Sequence, residues 1–152
     1  MSRTERAKEY FLQGYACSQA VALAFADVLG MDEGTISRLT LPFGGGLGRL
    51  RLTCGAVSGM AFVLGGVFSD NENTPENKKR VYAITQELCL KFKEENGSLI
   101  CGELLAGVNV PVEVGGVAEK RTENYYKKRP CAELVACAAS ILEEYLKENG
   151  KL

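Results

Sequence analysis

Between Leu52 and Ser69 the chain carries no charged side chain, and that stretch constrains the fold more than any other. It holds Gly55, Gly59, Gly65 and Gly66 among alanine, valine, methionine, phenylalanine and leucine. A helix this apolar must be enclosed on most sides, and one domain of 152 residues has the material to do it. The glycines, with Thr53, Cys54, Ser58 and Ser69, suit a packed helix and turn better than a lipid-facing segment. No membrane span is expected. Gly55 and Gly59 stand one turn apart on one face, so another helix can approach closely, within the chain or across a dimer. A homodimer is the expected assembly, because the other helices also carry more apolar surface than one bundle needs.

The remaining sequence supplies helices to pack around that centre. Ser2 and Glu5 form a capping box for a helix running to about Leu12. A second helix starts at Cys17 and closes at Gly30, a left-handed C-cap residue. Asp32 caps a third, which ends near Leu39 before Pro42. Thr74-Pro75-Glu76 is a strong helix start, and Val81, Ile84, Leu88 and Phe92 make a buried stripe up to Asn96-Gly97. A short helical turn carries Cys101, residues 106–117 read as loop, and a last helix runs from Pro130-Cys131 to about Lys147. The expected fold is a single all-α domain, a bundle of five to seven helices over residues 1–152.

Six cysteines and no histidine narrow the chemistry. The N-terminal MSRTERAKEY has no apolar signal core, so a cytoplasmic, reducing setting is expected. There cysteines more often bind metal or do redox work than form structural staples. No C-x-x-C pair occurs, and without histidine there is no Cys-His dyad and no mixed Cys/His metal site. Cys17, Cys54, Cys101 and Cys131 each fall at or near a predicted helix start, whereas Cys89 and Cys137 fall inside helices. A thiol at a helix start feels the positive end of the dipole, which favours thiolate. Thr53 reads as the N-cap beside Cys54. With Arg49 and Arg51 near, Cys54 is the expected attacking thiolate.

The loop before Cys54 has Gly44, Gly45, Gly46 and Gly48 in five residues, followed by Arg49. Glycines let backbone come close to an occupant, so these residues are candidate ligand contacts, with backbone amides holding an anion. No G-K-[ST] follows, which argues against a nucleotide. Net charge is −1, and Lys78-Lys79-Arg80 and Lys127-Lys128-Arg129 are clusters without a basic surplus, so nucleic acid is not an expected partner.

Several of these pieces resemble the redox-active proteins named for a C_GCAxxG_C_C cysteine pattern. The matching residues are Cys17-Ser18-Gln19-Ala20-Val21, Phe43-Gly44-Gly45-Gly46 with Gly48-Arg49, and Cys54-Gly55-Ala56-Val57-Ser58-Gly59. Cys101 with Glu103-Leu104-Leu105 and Cys131 with Leu134-Val135 complete the likeness. It implies that the four cysteines of the pattern are Cys17, Cys54, Cys101 and Cys131, with Cys89 and Cys137 outside it. A similar domain in the split-Soret haem proteins accompanies an iron centre. The lack of histidine and of C-x-x-C-H means that no haem carries over.

Three uses of the four thiols stand open: reversible disulfide chemistry, an iron–sulfur cluster or zinc site with four thiolate ligands, or plain packing in a partner-binding domain. Each of the four is at least 30 residues from the next. Cluster ligands usually share a short loop, so the spacing favours thiol redox, narrowly.

Overall fold

The computed structural model describes all 152 residues and is all-helical in its regular structure, with no β-strand. Nine helices follow in chain order: α1 (Arg3–Leu12), α2 (Cys17–Leu23), α3 (Ala26–Leu29), α4 (Glu33–Thr40), α5 (Gly55–Phe68), α6 (Pro75–Asn96), α7 (Cys101–Ala106), α8 (Glu123–Lys128) and α9 (Cys131–Glu148). A 3-10 turn covers Leu41–Phe43. Gly44–Leu47 makes a hydrogen-bonded turn, but Gly45 and Gly46 lie at φ 66° and 71°, outside any helix. Six helices have seven or more residues, within the expected five to seven, and three are shorter.

Local sequence explains most boundaries. Ser2 Oγ accepts the Glu5 N–H while Glu5 accepts the Ser2 N–H, closing the capping box of α1. Asp32 and Thr74 cap α4 and α6 through the N–H groups of Thr35 and Asn77. Gly97 ends α6 at φ 91°. Of the stripe expected on α6, Leu88 and Phe92 are buried, whereas Val81 and Ile84 are only partly covered.

Two boundaries differ from the sequence reading. The helix expected from Cys17 to Gly30 breaks at Phe25 into α2 and α3. The Phe25 ring is fully buried, and Arg3 lies over it at 5.5 Å while donating to the freed Ala24 carbonyl at 3.0 Å. Helix α8 was not expected at all. Thr122 starts it by accepting the Tyr125 N–H, so the start signal was present but short.

The centre is shared by α5 and α2, and α2 is the more deeply buried. Every residue from Ser18 to Phe25 is buried. Its polar groups are satisfied against α4: Ser18 donates to the Thr40 carbonyl at 2.7 Å and Gln19 to the Ser37 carbonyl at 2.9 Å. Helices α1 and α9 pack beside this pair, and α6 closes the far side of α5. Phe11, Phe25 and Phe92 are enclosed in the common core, each worth roughly 1.5–3 kcal/mol by burial.

Gly59 is what lets α5 meet α2. A Cβ there would lie 2.7 Å from the Ser18 carbonyl oxygen and 3.0 Å from Val21 Cβ. The small-residue face that motivated a homodimer is therefore covered from within the same chain. No helix is long and apolar enough to cross a membrane.

This packing gives an internal comparison on one helix. Gly59→Ala should destabilise the fold by about 1–3 kcal/mol, because it presses on a backbone carbonyl. Gly65→Ala meets nothing within 4 Å and should stabilise by up to about 1 kcal/mol through helix propensity. Urea denaturation of both variants checks the pair, and equal shifts would contradict the contact.

Candidate functional site

Cys17, Cys101 and Cys131 are the first residues of α2, α7 and α9, and Cys54 is the N-cap of α5. All four line one cavity of about 330 Å³. Cys89 and Cys137 do not line it; Cys137 donates to Glu95 at 2.7 Å on the outside of the bundle. All six cysteines are free thiols.

Backbone contacts bring the four starts together. The Cys54 N–H donates to the Leu99 carbonyl at 2.8 Å, and the Cys101 N–H to the Leu52 carbonyl at 2.6 Å. Thr53 is thus no N-cap: it sits in a single antiparallel bridge with Ile100, which ties the start of α5 to that of α7. Gly55 lets α5 approach α2, since a Cβ there would lie 3.2 Å from Cys17 Cβ. At Gly46 a Cβ would lie 2.6 Å from Cys101 Cβ and 2.7 Å from the Leu52 nitrogen. At Gly44 it would meet Ala16 Cβ at 2.7 Å. Gly44, Gly45, Gly46 and Gly48 do line the cavity, yet the close approach that Gly44 and Gly46 permit is to the protein's own chain.

The loop is also strained. Leu47, Arg49 and Arg51 have φ of 71°, 63° and 61°, in the left-handed region that costs a residue with a Cβ about 1–2 kcal/mol. Contacts with the 113–119 segment and with α7 hold them there. Arg49 donates to the Gly115 carbonyl and accepts the Gly115 N–H at 2.9 Å through its own carbonyl. Arg51 Nε donates to the Glu113 carbonyl at 2.8 Å, and the Arg51 carbonyl accepts the Gly102 N–H at 3.0 Å. The outcome is that both arginine side chains face the cavity.

Two more arginines, Arg121 and Arg129, reach it from either end of α8, with Tyr125 between them. Their guanidinium carbons stand 5.0 and 4.9 Å from the Tyr125 ring centre. Arg121 also donates to the Phe11 and Tyr15 carbonyls at 3.0 Å each, fastening α8 to the end of α1. Of the cluster Lys127-Lys128-Arg129, the two lysines are exposed and Arg129 turns inward, its side chain 7% exposed. One carboxylate, Glu119, answers them, bonding Arg129 and Arg49 and lying 3.9 Å from Arg51. Sequence reasoning missed Glu119, Arg121, Tyr125 and Arg129. The cap at Thr122 and the helix start at Pro130 bracket Tyr125 and Arg129, which was the available signal for those two.

The charges sort the thiols. Cys131 is lowered below the ordinary thiol range by a hydrogen bond from Cys17, and the charges of Arg129, Arg121 and Arg51 help offset its burial. Cys17 keeps its proton, raised well above the usual value first by that same bond and then by burial. Cys54 is pushed up to about 12 by burial, against partial relief from the N–H groups of Ala56 and Val57. Cys101 is raised by burial, with Arg51 opposing at 3.7 Å. The expectation that Cys54 is the activated thiolate therefore fails on burial, and Cys131 takes that place. No three of the cysteines, aspartates and glutamates form a metal-ligating group. The donor set is right in kind for a thiolate-bound cluster or zinc, but as arranged it does not fit a single zinc ion.

Because Cys131 titrates below its neighbours, its thiolate fraction rises while the other thiols are still protonated. Iodoacetamide at about pH 7, below the usual thiol pKa near 8.5, should modify Cys131 first, as read by peptide mass spectrometry. Arg129→Gln should move that reactivity to higher pH. Prior modification of Cys54 or Cys101 would contradict the assignment.

Searches of curated proteins and of solved structures find no match. A family model described as "Putative redox-active protein (C_GCAxxG_C_C)" matches residues 15–145. That span takes in the glycine loop, α8 and all four cysteines of the cavity. The chain belongs to the C_GCAxxG_C_C family.

Proposed function

We propose that the cavity is a thiol–disulfide exchange site in which Cys131 attacks and Cys17 resolves. The observation that carries this reading is that Cys17 and Cys131 open two helices onto one cavity lined by Arg51, Arg121 and Arg129, and that each thiol's pKa is moved chiefly by the other. Such a pair is an attacking thiolate with its resolving thiol already beside it.

The Cys131 thiolate attacks one sulfur of a partner disulfide, forming a mixed disulfide and expelling one partner thiolate. That thiolate takes the proton from Cys17. The Cys17 thiolate then attacks Cys131 Sγ, forming the Cys17–Cys131 disulfide and expelling the second partner thiolate. Two electrons pass from the two cysteines to the partner, and the reverse sequence returns them. Cys54 and Cys101, both held protonated, take no part in the exchange and shape the wall beside the pair.

The reduced protein, treated with a disulfide, should yield a Cys17–Cys131 bridge by peptide mapping and lose two titratable thiols. Cys17→Ser should stop at a mixed disulfide on Cys131. Protein purified without oxygen should hold no iron or sulfide. Iron and sulfide near stoichiometry, lost in Cys54→Ser, would overturn this reading in favour of a cluster.

A further inference from the structure

Four arginines and one carboxylate line the cavity, a formal surplus of three positive charges inside a chain whose net charge is −1. These cations are not surface charges that happen to lie near a cleft. The Arg51 and Arg129 side chains are each 7% exposed and that of Arg49 is 14% exposed. Guanidinium groups are seldom enclosed unless they have anionic partners. Here the partners are few: Glu119 alone answers Arg49 and Arg129, and Arg51 only at 3.9 Å. Each guanidinium carries five N–H donors, more than the contacts made here occupy. No fully buried polar atom is left without a partner, so the guanidinium nitrogens that have none are open to solvent, and all four arginines line the cavity. The lining supplies an apolar side as well, from Leu41, Leu104, Leu105 and Leu134.

We infer that the site takes small disulfides bearing carboxylates, with the substrate carboxylate bound by Arg129, Arg51 and Arg49 in the place that Glu119 occupies here. This rests on the exchange reading of Cys17 and Cys131. Three features support it together. The arginine donors line the same cavity as the attacking sulfur, and Arg129 is two residues before Cys131. A mercapto acid spaces its carboxylate from its sulfur by only a few bonds, which suits that proximity. A volume of about 330 Å³ is at the small end of ligand pockets and fits an amino-acid-sized group. Glu119 itself shows that a carboxylate is accommodated. It lies on the helix-free run between α7 and α8, its side chain 37% exposed, so its departure breaks no helix. The exchange proceeds as written above, and the substrate leaves as two anionic thiols.

The test compares three disulfides of similar size as oxidants of the reduced protein: dithiodipropionate, bis(2-hydroxyethyl) disulfide and cystamine. Each rate is divided by that disulfide's rate with free dithiothreitol, which removes differences between leaving groups. At low ionic strength the normalised rate for dithiodipropionate should exceed that for cystamine by roughly tenfold or more, and the ratio should shrink as salt rises. The ratio within one protein is independent of the Cys131 pKa, so it separates binding of the anion from activation of the thiol. Arg129→Gln should cut the ratio several-fold, Arg129→Lys should retain part of it, and Glu119→Gln should raise it. If Arg129→Gln fails to fold, the salt dependence of the unsubstituted protein and the Glu119→Gln ratio still decide. Equal normalised rates, or a preference for cystamine, would overturn the substrate class and leave the exchange reading standing. No oxidation by any of the three would overturn both.

Discussion

The site depends on places where one backbone lies against another with no Cβ between them. Gly46 against Cys101 and the Arg51–Leu52 backbone, and Gly44 against Ala16, are closer than a Cβ permits, and Gly55 against Cys17 is close enough that a Cβ would press its neighbour aside. Each contact joins an element that carries a cysteine to the glycine loop or to its neighbour. Remove the closeness and the starts of α2, α5 and α7 separate, since their cysteines are dispersed along the chain and share no loop. Gly59 does the same for the core by seating α5 on the Ser18 carbonyl of α2. The glycines thus set the spacing of the chemistry, while the core that holds this spacing is ordinary helix packing.

On that frame, the arginines help decide which thiol ionises first. A cluster of identical groups in one cavity cannot all ionise, because like charges in a poorly hydrated space repel. Arg129, Arg121 and Arg51 act on Cys131, and Cys17 stabilises it by donating a hydrogen bond. Cys54 is the most enclosed of the four, and there the helix-start amides only partly counter desolvation. A helix start contributes a fraction of a charge screened by its own solvent, whereas burial acts on the full charge of the thiolate. Position at a helix start therefore picked out the four cysteines that share the cavity and misjudged the order in which they ionise.

The sequence was most legible where local chemistry decides. Caps at Ser2, Asp32 and Thr74, the left-handed Gly30 and Gly97, and the uncharged α5 all act within a few residues of themselves. The four cysteines stood out because each opens or caps a helix, a property visible without knowing what the helix packs on. What stayed hidden arises from distant contacts. Arg129 stood only as one of a basic cluster and Arg121 gave no local signal; contacts with Phe11 and Tyr15 fix Arg121, and Glu119 and Tyr125 hold Arg129 inward. The left-handed backbone of Arg49 and Arg51 is equally invisible, because it is imposed by Glu113, Gly115 and Gly102 from elsewhere in the chain. The break at Phe25 depends on Arg3, some twenty residues earlier. The small-residue face of α5 was correctly read as a close contact, and only its partner could not be inferred.

The segment between α7 and α8 connects these two halves. It has no helix of its own, yet Arg49 and Arg51 grip it at Gly115 and Glu113, and Glu119 returns the contact to Arg49 and Arg129. Burial works to raise the Glu119 pKa, but the hydrogen bond and charge of Arg129, with those of Arg49, hold it below the usual carboxylate range. A carboxylate depressed in the folded protein contributes stability above its unfolded pKa and loses it as pH falls through the folded value. At neutral pH the clasp is therefore fully charged. The same carboxylate moderates the positive field that lowers Cys131, so moving it away strengthens that field as it uncovers the guanidinium donors. Opening the clasp and activating the thiolate are consequences of one displacement.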